Sequence, residues 1–214
     1  MIDLSGVEHH PAIREMVDVL CAKTQNTDRS FFSCEAAYFL GKMAANMRAT
    51  IVTKDRGEIP VNIYALNLAT SGFGKGHSIS VIENEFMKPF RNRFMQDTME
   101  VISEQHFWGL AADRALRKGT TDQEEYDKVK GEYARCGGFP FTFDSGSTPA
   151  VKQLRQKLLL GNIGAINLQI DEIGSNLTGS DEVLTTFLEL YDQGVVKQKL
   201  TKNTNDNQRG EELD

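Results

Sequence analysis

At 214 residues, with 40% hydrophobic and 25% charged residues, the chain has the make-up of a globular protein large enough to bury one substantial core. Its formal charge of −6 excludes a generally basic nucleic-acid-coating protein but leaves room for a local phosphate-contacting patch. No apolar run approaches the ~18 residues of a membrane span, and the start MIDLSGVEHH lacks the basic and apolar regions of a secretory leader, so a cytoplasmic protein without a membrane partner is expected.

From Pro11 to about Gln25 the apolar residues Ile13, Met16, Val17, Val19 and Leu20 recur at helical spacing, and Pro11 suits a first turn because its missing N–H is not needed there. His9 and His10 have no ligand cluster near them and read as an exposed lead-in. Cys21, Cys34 and Cys136 are scattered and read as reduced thiols. A second helix is predicted from Ser33 to about Met47, with Ser33 as N-cap and Glu35 in the first turn. Residues 1–48 thus form an N-terminal helical segment.

Residues 49–53 and 61–68 are β-rich and flank a turn containing Asp55, Gly57 and Pro60. The second run, VNIYALNL, is apolar on both faces, as expected of a central parallel strand covered by helices. The glycine-rich stretch ATSGFGKGHS follows, and helical periodicity starts at about Lys75 and continues to about Lys118. It restarts after Thr121, a candidate N-cap with Glu124 at the capping-box position. Residues 88–135 read as a helical insertion. Arg91, Arg93, Arg114 and Arg117 are expected on its solvated, ion-paired face, and Trp108 in a core or interface.

A strand at 139–143, a loop, a helix from about Pro149 and a buried strand at 165–170 come next. A further helix, capped by Ser180 and stopped by Gly194, precedes a polar tail over 201–214. Alternation of strands and helices predicts an α/β domain over 49–200 built on a mainly parallel sheet, with ligands at the strand C-terminal ends.

Two stretches lie at such ends. Gly72, Gly74 and Gly76 let the backbone curl so that successive N–H groups face inward, and with the following helix they make an anion site. Lys75 would lie against the outer phosphates of a nucleotide. The whole loop, Ser71, Gly72, Phe73, Gly74, Lys75, Gly76, His77 and Ser78, is the candidate ATP-binding segment. Against the pattern G-x-x-x-x-G-K-[ST], Ala69 replaces the first glycine, and Gly76 replaces the hydroxyl that binds magnesium. Ser78, two positions on, is a substitute Mg2+ ligand. The plain alternative is a glycine-rich turn before a helix.

The second stretch is Asp171-Glu172, at the close of the apolar strand AINLQI. Two carboxylates there are costly unless a cation or hydrogen bonds use them. Asp171 has the position of the acid that holds Mg2+ through water, and Glu172 that of the base that polarises an attacking water. Lys75 and Glu172 are therefore the candidate catalytic pair. Between these stretches, Ser147 or Thr148 reads as a helix cap ahead of Pro149. The functional alternative has Asp144, Ser145 and their neighbours bordering a γ-phosphate pocket.

Three segments, NIYALNLATSGFGKGHS, FTFDSGSTPAVKQLRQKLL and GAINLQIDEIGSNL, resemble phage and prophage P-loop proteins carrying a RecA-like replicative-helicase or primase-helicase ATPase domain. The resemblance spans about residues 33–200. It implies a RecA-like core and ATP hydrolysis with Mg2+. It also implies single-stranded DNA as partner of the full-length protein, a homo-oligomeric ring, and location in a bacterial host cytoplasm. A RecA-like core would continue past residue 200 with a sensor strand and an arginine reaching a neighbouring subunit, so an N-terminal fragment of a longer polypeptide is expected.

Two other readings stand beside the motor. GFGKG also occurs in nucleoside monophosphate kinases, although those follow the glycine with threonine, where this chain has His77. A non-catalytic nucleotide-binding or scaffolding module would account for Gly76.

Overall fold

The computed structural model describes residues 9–170. The chain divides into two compact units, Met1–Phe94 and Met95–Asp214. The helix predicted between Ser180 and Gly194, the tail, and the pair Asp171 and Glu172 lie outside the described residues.

In the first unit, α1 (Pro11–Thr24) starts where the sequence indicates. His10 caps it by accepting from the Ala12 N–H at 3.2 Å, and the chain leaves through Gln25 in a left-handed conformation. α2 (Arg29–Asn46) begins earlier than the predicted Ser33. Asp28 is the cap, its carboxylate accepting from the Phe31 N–H at 3.1 Å, so Ser33 lies inside the helix. The two helices pack together, with Met16, Val17 and Leu20 of α1 and Phe32, Ala36 and Phe39 of α2 buried. Each of these side chains larger than alanine contributes roughly 2 kcal/mol on burial. α2 also buries Glu35, Lys42 and Asn46.

The sheet corrects the expected architecture. The described residues are mostly helical, and their sheet is a two-stranded antiparallel hairpin of β1 (Thr50–Thr53) and β2 (Gly57–Pro60), with Thr50 opposite Pro60 and Thr53 opposite Gly57. This is not the parallel sheet of a RecA-like core. Gly57 turns the chain at φ +70°, and Thr53 Oγ1 accepts from the Arg56 N–H at 3.1 Å, so the hairpin closes locally. A parallel ladder instead requires a long crossover to return the chain in register. The predicted strand at 61–68 forms no ladder. Ile63 lies hard against Gly41 of α2, but Leu66 and Leu68 are 64% and 80% exposed.

Beyond the glycine-rich stretch, α3 (Lys75–Val81) passes into a π-helical segment (Ile82–Met87) and then α4 (Lys88–Arg93). α3 packs on α1, and the π-helical segment on α2. A second π-helical segment, Phe94–Thr98, spans the division between the units.

The second unit is a helical bundle of α5 (Met99–Lys118), α6 (Asp122–Arg135) and α7 (Thr148–Gly161). Gly119, at φ +67°, ends α5 close to the predicted Lys118. Thr121 caps α6, and Ser147 caps α7 by accepting from the Ala150 N–H at 3.4 Å. Phe107 and Ala111, Tyr126 and Val129, and Leu160 form the shared core. Arg114 binds Glu132 through both carboxylate oxygens, joining α5 to α6. Trp108 is 43% exposed and stacks on Tyr126 with ring centroids 4.1 Å apart, so it belongs to no core. The strands predicted at 139–143 and 165–170 reduce to one parallel bridge between Phe143 and Leu168, with Asn167 donating its side-chain amide to the Phe141 carbonyl oxygen at 2.9 Å. Among the described residues no helix is long and apolar enough to cross a membrane.

Candidate functional site

The segment ahead of α3 takes its shape from glycine. A turn closes with the Phe73 N–H donating to the Thr70 carbonyl oxygen at 3.2 Å. Gly72 stands at the third position of that turn with φ +80°, a value other residues adopt only with strain. Gly74 follows at φ +94° and is the N-cap of α3. The first intrahelical bond runs from the Ser78 N–H to the Gly74 carbonyl oxygen at 2.9 Å. The N–H groups of Gly76 and His77 therefore have no acceptor within the helix and point out of its N-terminus.

This loop is fastened to the first unit by residues that the sequence reading did not select. Asn26 donates its side-chain amide to the Phe73 carbonyl oxygen at 3.0 Å. The Phe73 ring packs on Phe31, with centroids 4.6 Å apart, and near Phe32 at 6.3 Å. Thr24 lies behind Gly74, where an added Cβ would stand 3.4 Å from its own Cβ. Turn, cap and aromatic clasp hold the loop as a defined shape.

Of the residues expected to bind a nucleotide, Ser71, Gly72, Gly76 and His77 are exposed, while Phe73, Gly74 and Lys75 are half-buried. Ser78 is fully buried, and its hydroxyl donates to the Lys75 carbonyl oxygen at 2.8 Å. It thus faces inward rather than toward an incoming ligand. Asp171 and Glu172, the expected magnesium and water-activating acids, lie outside the described residues. Asp144 and Ser145 are exposed, with the Ser145 hydroxyl donating to the neighbouring carboxylate at 3.2 Å, and Ser147 serves α7 as a cap. Among the described residues no group of three or more His, Cys, Asp or Glu side chains gathers as a metal site.

α2 buries an acid that the sequence reading placed only in a first helical turn. Glu35 is 3% exposed, and its Oε2 has no hydrogen-bond partner in the described structure. Burial pushes its carboxyl up to about 7, and the hydroxyl of Ser78 acts in the opposite direction. A signal was present in the sequence: Phe32, Glu35, Ala36 and Phe39 share one helical face, so an ionisable group occupies a core position. One turn further on, burial holds Lys42 down to about 8, with Glu83 opposing that effect and Arg91 adding to it.

No protein-family model, curated protein or solved structure matches the chain.

Proposed function

We propose that this protein binds the triphosphate of ATP, with Mg2+, through the loop from Ser71 to Ser78, with Lys75 as the cation on the outer phosphates. One observation carries the reading: two left-handed glycines, Gly72 and Gly74, flank Phe73 and lead directly into a helix whose first residue is a lysine. Helix-terminal amides and an ammonium group together favour a multiply charged phosphate over a simple carboxylate. Asp171 and Glu172 are the proposed acids for magnesium and for water activation, on the sequence pattern alone. The helicase-like action on single-stranded DNA rests on the three resembling segments, without support from the architecture.

A second reading, nucleotide binding without turnover, is favoured by Ser78. No hydroxyl follows Lys75 directly, and the nearest one in the helix is buried and bonded to the Lys75 carbonyl oxygen. Calorimetric titration of the full chain with Mg·ATP tests the shared claim, and Lys75→Ala should weaken affinity by about tenfold or more. Unchanged affinity in that variant sinks both readings. Phosphate release that disappears in Glu172→Gln selects the hydrolytic one.

A further inference from the structure

Seven of the eleven large hydrophobic side chains exposed among the described residues lie between Met47 and Leu68, so the uncovered apolar surface gathers in one stretch. Its centre is VNIYALNL. The Val61 N–H donates to the Ala49 carbonyl oxygen at 3.2 Å, so pairing with the hairpin reaches the first residue of this segment and stops. Ile63 turns to Gly41 of α2. In an extended run Tyr64, Leu66 and Leu68 then stand on the opposite face, and all three are exposed. Among the described residues the main-chain groups of residues 65–68 have no hydrogen-bond partner. Charges and proline are what usually guard such an edge, and neither occurs from Val61 to Gly74.

We propose that residues 64–68 pair with the same residues of a second copy of this chain, antiparallel about a two-fold axis at Leu66. That register sets Tyr64 opposite the partner's Leu68, and Leu66 opposite the partner's Leu66. Every pair on the outward face is then apolar, the kind of cross-strand contact that stabilises a sheet. An axis at Ala65 would instead set Leu68 against the partner's Asn62. Each copy also supplies the N–H and C=O groups that the other lacks. The inference does not depend on what the loop from Ser71 onward binds.

Charge favours a second copy over a foreign partner. Complementary charge selects foreign partners, and this stretch offers none. Copies of a chain with formal charge −6 repel one another, so neutral surface is where they can meet. Size agrees. Residues 61–68 present on the order of 600 Å2 per copy, so pairing buries roughly 1,200 Å2, the lower end for a specific interface. An isologous contact of this kind closes at two copies.

Sedimentation equilibrium of the full chain over about 1–100 μM should show monomer passing to dimer, as a contact of this size supports micromolar affinity. Leu66→Asp sets two carboxylates against each other on the axis and should weaken the dimer at least about tenfold. Its Tm should not change, because the side chain it replaces is already exposed. Leu116→Asp, at an exposed position of α5, should leave the dimer intact. A Cys34→Ser background removes the exposed native thiol. In it, Leu66→Cys should cross-link to its own copy on mild oxidation, whereas Leu68→Cys, set opposite the partner's Tyr64, should not. A chain that stays monomeric to about 100 μM, or assembles beyond two copies, overturns the proposal. So does a dimer that withstands Leu66→Asp, or one in which Leu68→Cys links as readily as Leu66→Cys.

Discussion

The side-chain amide of Asn26 donates to the carbonyl oxygen of Phe73 at 3.0 Å, tying the connection between α1 and α2 to the loop that precedes Lys75. Asn26→Ala removes that tie, together with the bond its side-chain oxygen accepts from the Asp28 N–H at 3.0 Å, without touching a core side chain. A single net hydrogen bond of about 1 kcal/mol implies ATP affinity about fivefold weaker, read by equilibrium titration. Global Tm should shift little. A large Tm loss with unchanged affinity would mean that Asn26 serves the fold and not the loop.

Gly74 makes a sharper demand. At φ +94° an L side chain is strained, and the added methyl would sit 3.4 Å from the Thr24 Cβ. Gly74→Ala is expected to cost about 1–2 kcal/mol in urea unfolding, together with a loss of ATP affinity. The same exchange at Gly76, where an added Cβ meets nothing within 4 Å and the backbone is helical, should be neutral or slightly stabilising.

Gly161, near the end of α7, tests the helical bundle independently of any ligand. A Cβ there would meet Ser103 Oγ at 2.7 Å and the Tyr133 ring at 3.2 Å. Gly161→Ala should therefore destabilise by roughly 1–3 kcal/mol by overpacking, measured by chemical denaturation. Gly109, on α5 with nothing within 4 Å of the added methyl, is the matched control and should tolerate alanine.

Glu125 lies fully buried on α6 between the ammonium groups of Lys118 at 2.8 Å and Lys128 at 2.6 Å. The hydrogen bonds from Lys118 and then Lys128 hold its carboxyl down to about 2, against the opposing effect of burial. A depressed folded-state value gives stability that is present above about 4.5 and lost as pH falls through about 2. Thermal melts of wild type and Glu125→Gln should thus differ at pH 6 and converge toward pH 2. A pH-independent difference would show that shape, not charge, is what Glu125 supplies.

Local signals were legible in the sequence, and non-local ones were not. Pro11 and Thr121 mark the starts of α1 and α6, and Ser147 with Pro149 marks that of α7, because capping is decided within a few residues. Ser33 misled because several residues near that helix start can cap, and Asp28 wins by meeting the Phe31 N–H. The stretch VNIYALNL is apolar enough for a buried strand. Apolarity says only that surface needs covering, however, and a parallel ladder depends on a distant partner that local pattern does not name. The loop at Gly72–Lys75 was readable because glycine alone tolerates its dihedrals. Its clasp by Asn26, Phe31 and Phe32 was not, since it joins residues some 40 to 50 positions apart in the chain.

The central claim is that a triphosphate sits on the amides and ammonium of one short loop. Hydrogen–deuterium exchange of the full chain with and without Mg·ATP tests it directly. Slowed exchange confined to peptides covering residues 70–78, lost in Lys75→Ala, is the predicted result. Exchange there that is unaffected by saturating ATP, or protection that survives the loss of Lys75, would contradict it.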